Sequence, residues 1–289
     1  MGNSSSKSHK EGKSSPTTHG PFTESHLVEK EPATEKQAAQ SDSGRYNYSN
    51  RGALKPSQLN NPFAQGAFRM VAKARYTVGE RKGQPCATKW FKTGAVYSSD
   101  FWELDIKAVH KALEIINLFN DSKMVNVAVK LNMPTVWRFG STWGQQWRDQ
   151  RVLVEPFIEG YQKFNSNTGW TDESKPWSKV MQALSHFSYH ITGGEYLICD
   201  LQGGAYLQEA VLTDPVILSQ TREFGVTDLG PDGISTFFSQ HVCNKFCRKD
   251  WIAPANPVRY FDPVSGTSMR NHRTTVATMY SHPPPPYAP

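Results

Sequence analysis

The chain has 289 residues, of which 37% are hydrophobic and 20% are charged, and its formal net charge at pH 7 is +6. This length accommodates one domain of ordinary size with flanking tails, or two small domains, and it is enough to bury a core. We expect no membrane-spanning helix, because no apolar run approaches the roughly 18–20 residues that a bilayer requires, and no secretory signal. The basic excess is small and forms no stripe interleaved with aromatic residues, so no nucleic-acid partner is predicted.

Two features predict a cytoplasmic protein that attaches reversibly to a membrane. The four cysteines are not spaced as a disulfide framework, which favours a reducing compartment. The sequence Met1–Ser6 matches M-G-x-x-x-[ST], which predicts N-myristoylation at Gly2, the alternative being a polar start without a lipid. One myristoyl chain binds membranes only marginally, at about 10⁴ M⁻¹. Because Lys7, Lys10 and Lys13 would add only a modest basic patch, we predict peripheral attachment.

Both ends of the chain are predicted to be disordered. Residues 1–46 are rich in Ser, Lys, Glu and Thr and cannot bury enough apolar surface to offset the entropy of ordering. Residues 261–289 form a flexible proline-rich tail in which Pro284, Pro285 and Tyr287 match P-P-x-Y, a ligand of WW domains. The alternative is an inert tail.

The region between the tails, residues 47–260, is predicted to be an α+β domain with two lobes. Apolar residues alternate or cluster in short segments that predict strands, and recur at helical spacing in longer ones that predict helices. The predicted strands are residues 67–76, 84–91, 152–158 and 195–200, and the predicted helices are residues 101–119, 179–189 and 237–247.

A cluster of soft metal ligands lies near the end of this region. His241, Cys243 and Cys247 are three ligands of the types that zinc prefers, within seven residues. His186 and His190 are both candidates for the fourth position. Four protein ligands would make the site structural rather than catalytic. The alternative is a pair of cysteines packed as small hydrophobic residues.

Several charged residues are candidates for a ligand site. Asp200 lies at the end of a predicted strand, where side chains of α/β proteins commonly meet ligands. Lys89 could hold a phosphate, or be an ordinary surface lysine. Asp214 could belong to the same site, or cap a helix. Asp228 lies in the glycine-rich segment 225–233, which alone is weak evidence for a phosphate loop.

Several motifs follow one another in a fixed order along the chain. They are Phe63–Arg69, Lys89, Val154–Pro156, Gly160, Asn165–Asn167, Ser185–Phe187, Asp200–Gly203, Leu212–Pro215 and His241–Cys247. The Walker A, H-R-D and D-F-G signatures of other phosphotransferases are missing. This ordered set resembles the alpha-kinases, an atypical family of protein kinases, and the resemblance covers roughly residues 46–250. The resemblance implies a two-lobed kinase-like fold with a zinc-stabilised C-terminal lobe.

The resemblance also implies an ATP site. Gly66 and Arg69 would line the loop over the phosphates, and Lys89 would hold the α- and β-phosphates. We predict Asp105, on the helix of the first lobe, as the carboxylate partner of Lys89. Glu155 would lie beside the adenine.

The remaining implied roles concern catalysis, metals and the protein substrate. Asp200 would orient the substrate hydroxyl or accept its proton, and Gln202 and Asp214 would bind Mg²⁺ or Mn²⁺ through oxygen atoms. An insertion near residues 204–207 lengthens the segment between these two ligands. His186, His241, Cys243 and Cys247 would bind the structural Zn²⁺, in preference to a set containing His190. The substrate loop would contain Gly225, Asp228, Gly230 and Gly233.

These expectations together predict an ATP-dependent serine/threonine protein kinase that transfers the γ-phosphate mostly to threonine residues of protein substrates. The alternative is a catalytically inactive adaptor, tethered to a membrane and joined to WW-domain partners.

Overall fold

The computed structural model describes residues 26–31 and 40–270, which form fourteen β-strands and four α-helices. The strands are β1 (His26–Lys30), β2 (Gly44–Arg45), β3 (Arg51–Leu54), β4 (Ala64–Gln65), β5 (Arg69–Tyr76), β6 (Pro85–Phe91), β7 (Ala128–Asn132), β8 (Thr135–Phe139), β9 (Arg151–Pro156), β10 (Tyr161–Lys163), β11 (Tyr196–Cys199), β12 (Gln202–Ala205), β13 (Glu209–Leu212) and β14 (Val216–Ser219). The helices are α1 (Pro56–Asn60), α2 (Glu103–Asp121), α3 (Ser178–Ile191) and α4 (Gly230–Gln240). This mixture confirms the predicted α+β class.

The first sheet has seven strands in the order β3-β1-β8-β9-β6-β5-β4. Strand β3 pairs with both β1 and β5, so six of the strands close into a ring. Its interior is filled by buried aromatic and aliphatic side chains, including Tyr76, Trp137 and Phe139. In β5 the buried residues Ala72, Ala74 and Tyr76 follow the period-2 pattern that predicted this strand, whereas β6 is buried continuously from Cys86 to Trp90.

The second core lies between helices and two smaller sheets. One sheet has the order β10-β12-β13-β7-β2, and the other is the antiparallel pair β11-β14. Helix α2 packs against β7, β14 and α3, burying Ala112, Ile116 and Phe119 at helical spacing. The helix was predicted to belong to the first lobe. It belongs to the second core instead, because its apolar stripe faces β7 and α3.

Most predicted elements are present, but the predicted helix 237–247 is wrong in its second half. Helix α4 begins earlier, at Gly230, and ends at Gln240, and His241 has the extended backbone angles φ −70° and ψ 123°. The segment that follows is a turn in which Oδ1 of Asn244 accepts a hydrogen bond from the backbone N–H of Phe246 at 3.0 Å. Asn in a turn competes with helix formation through such local bonds. The side-chain amide of Asn244 also donates to the backbone carbonyl of Lys179 and so ties the turn to α3.

The domain extends beyond both predicted boundaries. Strand β1 lies within the region predicted as a disordered leader, pairs with β3 and β8, and buries Val28. Residues 261–270, predicted as flexible tail, pack along the second core, where the backbone N–H of Arg270 donates to the Val226 carbonyl. Both segments contain few apolar residues and are ordered by pairing with sheets and loops, which composition alone does not reveal.

Several predictions fall outside the described residues. The lipidation site at Gly2 and the P-P-x-Y motif formed by Pro284, Pro285 and Tyr287 lie in the ranges 1–25 and 271–289, which the structure does not describe. Across residues 26–31 and 40–270, no helix has the length and apolarity needed to cross a bilayer.

Candidate active site

The register of the strands places two basic residues, Arg69 and Lys89, and the acidic residue Glu155 on one face of the first sheet. Val71 of β5 and Leu153 of β9 both lie opposite Lys89 of β6. Because side chains two positions apart on a strand point to the same face, Arg69 and Glu155 share the face of Lys89. All three charged side chains are buried, with Arg69, Lys89 and Glu155 exposing 8%, 4% and 2% of their surface. A buried charge is costly unless it has a partner, so each of these three side chains must be paired within the fold.

Lys89 is held by three oxygen-bearing side chains. Its Nζ lies 2.8 Å from Oε1 of Glu155 and 2.6 Å from Oδ2 of Asp214, and it donates to Oγ1 of Thr213 at 3.0 Å. The Thr213 hydroxyl donates in turn to Glu155 at 2.7 Å. Burial acts to lower the pKa of Lys89, but the Asp214 and Glu155 carboxylates outweigh burial and raise that pKa. The ammonium group therefore stays charged.

The pairing of the acidic residues differs from the prediction. Asp105, predicted as the partner of Lys89, lies in the first turn of α2 and accepts a hydrogen bond from Nη2 of Arg69. Lys89 pairs instead with Asp214 and with Glu155. Glu155 was predicted to lie beside the adenine, but its carboxylate contacts Lys89 and Thr213. The difference arises because Glu155 is the diagonal neighbour of Lys89 across the β6–β9 pair.

The second core contributes two aspartates with strained backbones, Asp200 and Asp214, to the site. Asp200 follows β11 with φ 57°, and Asp214 follows β13 with φ 46°. Residues other than glycine are uncommon in the left-handed region, and such conformations persist where the surrounding structure enforces them, often at functional sites. Asp214 is followed by strand β14, so the alternative in which it caps a helix is wrong.

Gln202 connects the two aspartates, and Lys163 pairs with Asp200. The side-chain amide of Gln202 donates to Oδ2 of Asp200 at 3.2 Å and to the backbone carbonyl of Asp214 at 3.3 Å. Lys163 lies opposite Gln202 in the β10–β12 pair, and its Nζ is 2.8 Å from Oδ1 of Asp200. Gly203 allows the β12–β13 hairpin to close, because a Cβ there would lie 1.9 Å from the Val211 carbonyl oxygen.

The environments of the two aspartates shift their pKa values in opposite directions. Burial raises the pKa of Asp200, an effect that Lys163 reduces without cancelling. Burial also acts to raise the pKa of Asp214, but Lys89 and Arg69 outweigh it and lower that pKa. Asp200 is therefore the more basic carboxylate, suited to accept a proton, and Asp214 the more firmly ionised one, suited to bind a cation.

The structure changes the interpretation of the predicted substrate loop. Gly230 and Gly233 lie in α4, where Gly233 packs against Leu218 of β14. The buried carboxylate of Asp228 accepts hydrogen bonds from the backbone N–H groups of Ser219, Phe224 and Gly230 and therefore organises a turn. Packing and backbone contacts thus fix the positions of Asp228, Gly230 and Gly233, and their role beside the substrate stays a prediction. Gly225 has φ 86°, and its carbonyl accepts a hydrogen bond from the guanidinium of Arg270, near the end of the described chain.

Gly66 lies in the exposed turn between β4 and β5. Its backbone N–H donates to the Arg69 carbonyl at 2.9 Å, and a Cβ at Gly66 would meet nothing within 4 Å. The turn is thus anchored next to Arg69 while its outer side is open. Its role over the phosphates stays a prediction.

The four predicted zinc ligands lie together. Sγ of Cys243 is 3.6 Å from Nδ1 of His186, Sγ of Cys247 is 3.7 Å from Nε2 of His241, and all four ligand atoms lie within 4.8 Å of one another. A tetrahedral zinc with bonds of about 2.0–2.3 Å separates its ligand atoms by roughly 3.3–3.8 Å. The donor set therefore fits zinc after a small contraction.

The surroundings of the cluster favour the protonation state and ring orientation that metal binding requires of His241 and His186. Burial lowers the pKa of His241 to about 4, so its imidazole is neutral, as metal binding requires. Nε2 of His186 lies 3.1 Å from the Ile252 carbonyl, an arrangement that orients a ring whose Nδ1 binds a metal. His190 lies outside the cluster, and the backbone N–H of Ile252 donates to its Nδ1 at 3.4 Å.

Comparison with known proteins agrees with this geometry. The model of the alpha-kinase family matches residues 64–247, which is more than half of the chain.

The chain belongs to the alpha-kinase family.

Two curated alpha-kinases and one solved structure illustrate the likeness. Alpha-protein kinase 1 of Dictyostelium discoideum is 32% identical over 216 residues, or 72% of this chain and 15% of that protein. Alpha-protein kinase vwkA of the same organism is 41% identical over 98 residues, or 33% of this chain and 16% of that protein. An inactive variant of the alpha-kinase domain of myosin-II heavy chain kinase A, complexed with ATP, has a TM-score of 0.56 at 21% identity and covers 77% of this chain and 94% of that one.

The chain spans about one-sixth of the length of the two curated alpha-kinases it matches. The solved domain, at 21% identity, establishes the alpha-kinase fold.

The sequence assigned no role to three residues of the site. Thr213 lies inside the predicted motif Leu212–Pro215, and Lys163 lies two residues before the predicted motif Asn165–Asn167; their distances to Lys89 and Asp200 depend on how the strands pair. Position in a predicted motif, or within two residues of one, is the signal that could have found both. Thr267, whose hydroxyl donates to Asp200 at 2.8 Å, lies in a region of this alpha-kinase that was predicted to be a flexible tail.

Proposed function

We propose that this alpha-kinase is an ATP-dependent serine/threonine protein kinase that transfers the γ-phosphate of ATP to protein hydroxyl groups, principally those of threonine. The observation that carries the proposal is the convergence of two buried cations with two aspartates of opposite pKa shift. Arg69 and Lys89 come from the first sheet, and Asp200 and Asp214 come from strand ends of the second core. Phosphoryl transfer depends mainly on such positioning and charge neutralisation.

The residues present fit ATP and a hard divalent cation. Nε of Arg69 is buried and has no hydrogen-bond partner among the described residues, so this guanidinium can take on a further acceptor. The side-chain nitrogen of Gln202 donates to Asp200 and to the Asp214 carbonyl. The side-chain oxygen of Gln202 is therefore the atom that could bind a metal. Arg69 and Lys89 would hold phosphates, and Gln202 and Asp214 would hold Mg²⁺ or Mn²⁺. When bound, the cation would neutralise part of the phosphate charge.

Asp200 has the environment of a general base. It would orient the acceptor hydroxyl and take its proton as the oxygen forms a bond to the γ-phosphorus and the bond to the ADP oxygen breaks. Burial raises the pKa of this carboxyl, and Lys163, whose Nζ is 2.8 Å away, keeps that pKa from rising further.

We further propose that His186, His241, Cys243 and Cys247 bind a structural zinc ion. The support is the size of the cluster and the composition of its donors. Four protein ligands would close the coordination sphere, which is typical of structural sites. The ion would join the middle of α3 to the turn after α4.

Membrane attachment through Gly2, WW-domain binding through Tyr287 and a cytoplasmic location stay proposals based on the sequence. The adaptor hypothesis gains no specific support from the site, because an inactive adaptor has no need for two strained aspartates beside buried cations. We therefore retain the kinase as the single proposed function.

The test is transfer of labelled γ-phosphate from Mg²⁺-ATP to dephosphorylated casein and to the chain itself. Asp200→Asn should reduce transfer by about 10²–10⁴-fold, because it removes the proton acceptor while preserving size. Asp232→Asn, which removes a surface carboxylate paired with Arg222, should retain activity. Equal transfer by the wild type and by a folded Asp200→Asn chain would refute the assignment of Asp200.

A further inference from the structure

A polar cavity of about 360 Å³ lies between the turn that joins β5 to β6 and strands β2, β7 and β13 of the second core. Its lining contains none of the residues assigned above to nucleotide, catalysis or metal. Three basic side chains border it, from Arg45 of β2, Arg81 of the turn and Lys130 of β7. Pockets that bind small molecules typically have volumes of about 300–1,000 Å³, so this cavity is large enough for a compact ligand.

Two guanidinium groups of the cavity, those of Arg45 and Arg81, are bound only by neutral acceptors within residues 26–31 and 40–270. Nη1 of Arg45 donates to Oδ1 of Asn132 at 3.2 Å and to the Phe157 carbonyl at 3.0 Å. Nε of Arg81 donates to the Tyr46 carbonyl at 2.6 Å, and its Nη1 donates to a glutamine side chain. Burial lowers the pKa of Arg45, and the neighbouring charge of Arg81 lowers it further. An anion between the two groups would relieve this repulsion.

The acidic residues of the lining do not neutralise these arginines. Glu209 is already paired with Lys130, with 3.2 Å between Oε2 and Nζ. Asp42 lies in the turn before β2 and forms no ion pair with any residue in the described part of the chain. The cavity therefore offers two guanidinium groups to an anion, and one carboxylate that can accept hydrogen bonds from hydroxyl groups of the same ligand.

The number and charge of the free donors favour phosphate over carboxylate. A guanidinium has five N–H donors in a planar fork, and Nη2 of Arg45 and of Arg81 has no acceptor among the residues that the structure describes. A carboxylate carries one charge and two oxygens, which satisfy a single guanidinium. A phosphate monoester carries about −1.5 to −2 charges and three acceptor oxygens at neutral pH, which match two guanidinium groups.

From this arrangement we propose that the cavity binds a small phosphomonoester, with its phosphate on Arg45 and Arg81 and its hydroxyl-bearing body against Tyr48 and Asp42. The inference goes beyond the proposed kinase function and does not depend on it. The site is connected to strand β9, because Arg45 also binds the carbonyl of Phe157, directly after that strand. Arg81 makes no contact of this kind and is therefore the better residue to replace in a test.

Calorimetric titration of the full chain with glycerol 3-phosphate tests the proposal. Saturating Mg²⁺ and a non-hydrolysable ATP analogue keep the probe out of the candidate active site. Arg81→Gln should weaken binding about tenfold to a hundredfold, because charge-assisted hydrogen bonds are lost. Lys82→Gln is the matched control, since it removes the same charge from the next residue of the turn, outside the cavity, and should bind as the wild type. Equal affinity of the wild type and a folded Arg81→Gln chain would overturn the site.

Protection of arginines from phenylglyoxal, followed by peptide mass spectrometry, gives a second measurement on the unchanged sequence. Glycerol 3-phosphate should slow the modification of Arg45 and Arg81 and leave that of Arg259, an exposed arginine paired with Asp262, unaffected. Unchanged reactivity of Arg45 and Arg81 overturns the proposal even where Arg81→Gln fails to fold. Inorganic phosphate that binds as tightly as glycerol 3-phosphate would overturn the assignment of an ester, because the body of the ligand would then contribute nothing.

Discussion

Nζ of Lys89 lies 2.6 Å from Oδ2 of Asp214, so the lysine proposed to hold phosphates is paired with the carboxylate proposed to hold the metal. Binding of Mg²⁺-ATP must therefore exchange these partners: the lysine turns to phosphate and the aspartate to the cation. The ion pair keeps both charges satisfied until the nucleotide arrives, since an unpaired buried charge is costly.

This pairing predicts that Asp214→Asn separates nucleotide binding from catalysis. In the presence of EDTA, ATP should bind about tenfold more tightly to the variant, because Lys89 no longer has to leave a charged partner. Phosphoryl transfer with Mg²⁺ should fall sharply, because a hard carboxylate ligand is lost. Calorimetric titration and the labelled-phosphate assay measure the two effects. In a Lys89→Met background the gain in metal-free affinity should vanish, and its persistence there would show that the ion pair is not its source.

The Lys89–Glu155 pair predicts a strongly non-additive effect on stability. Lys89→Met should reduce the free energy of unfolding by about 3–5 kcal/mol, because it leaves the Glu155 carboxylate buried without its cation. Adding Glu155→Gln should restore part of this loss, since the neutral amide can still bond to Thr213. Urea denaturation of the wild type, both single variants and the double variant forms a complete cycle. Additive losses would mean that the pair contributes nothing beyond its separate side chains.

The raised pKa of Asp200 predicts the acid limb of the pH–activity profile. The carboxylate accepts protons only when ionised, so kcat/KM should fall as pH decreases through a pKa above the ordinary aspartate value. Lys163→Met removes the cation that lowers this pKa and should move the acid limb to higher pH. Lys130→Met, which breaks a pair with Glu209 on the surface, should leave the limb in place. An unshifted limb in Lys163→Met would exclude Asp200 as the titrating group.

The metal cluster predicts that zinc is required for stability of the second core. Cys243→Ala and His186→Ala should lose zinc, as measured by inductively coupled plasma mass spectrometry, and should unfold at lower temperature. Apparent binding energies of structural zinc, about 10–16 kcal/mol, are comparable with or exceed the stability of a whole domain, about 5–15 kcal/mol. His190→Ala is the matched control, because His190 lies on the same helix but outside the cluster. Full zinc content in Cys243→Ala would show that the ion is held elsewhere.

The sequence was informative wherever local periodicity and short motifs determine structure. Helical patterning located α2 and α3 to within about two residues, alternation located β5, and β6 was found as a short apolar segment. The ligand types and close spacing of His241, Cys243 and Cys247 predicted the metal cluster, although the choice between His186 and His190 came from the family resemblance.

The sequence was misleading wherever long-range pairing overrides composition. Strand β1 and residues 261–270 have the composition of disordered tails, yet they are ordered by hydrogen bonds to distant strands and loops. The segment containing Asp228 looked like an open glycine loop, but its glycine Gly233 lies in α4 and allows this helix to pack closely on Leu218 of β14.

By itself, the sequence determined the α+β class, the main helices and strands, the alpha-kinase motifs and the types of residue in the site, because these depend on local pattern and side-chain chemistry. The tertiary structure alone decided the partners. Glu155 rather than Asp105 neutralises Lys89 because of the β6–β9 register, and Lys163 reaches Asp200 because of the β10–β12 pairing. The contact of Thr267 with Asp200 spans 67 residues of sequence. Register and long-range contact arise from packing of the whole domain, which no local window of sequence contains.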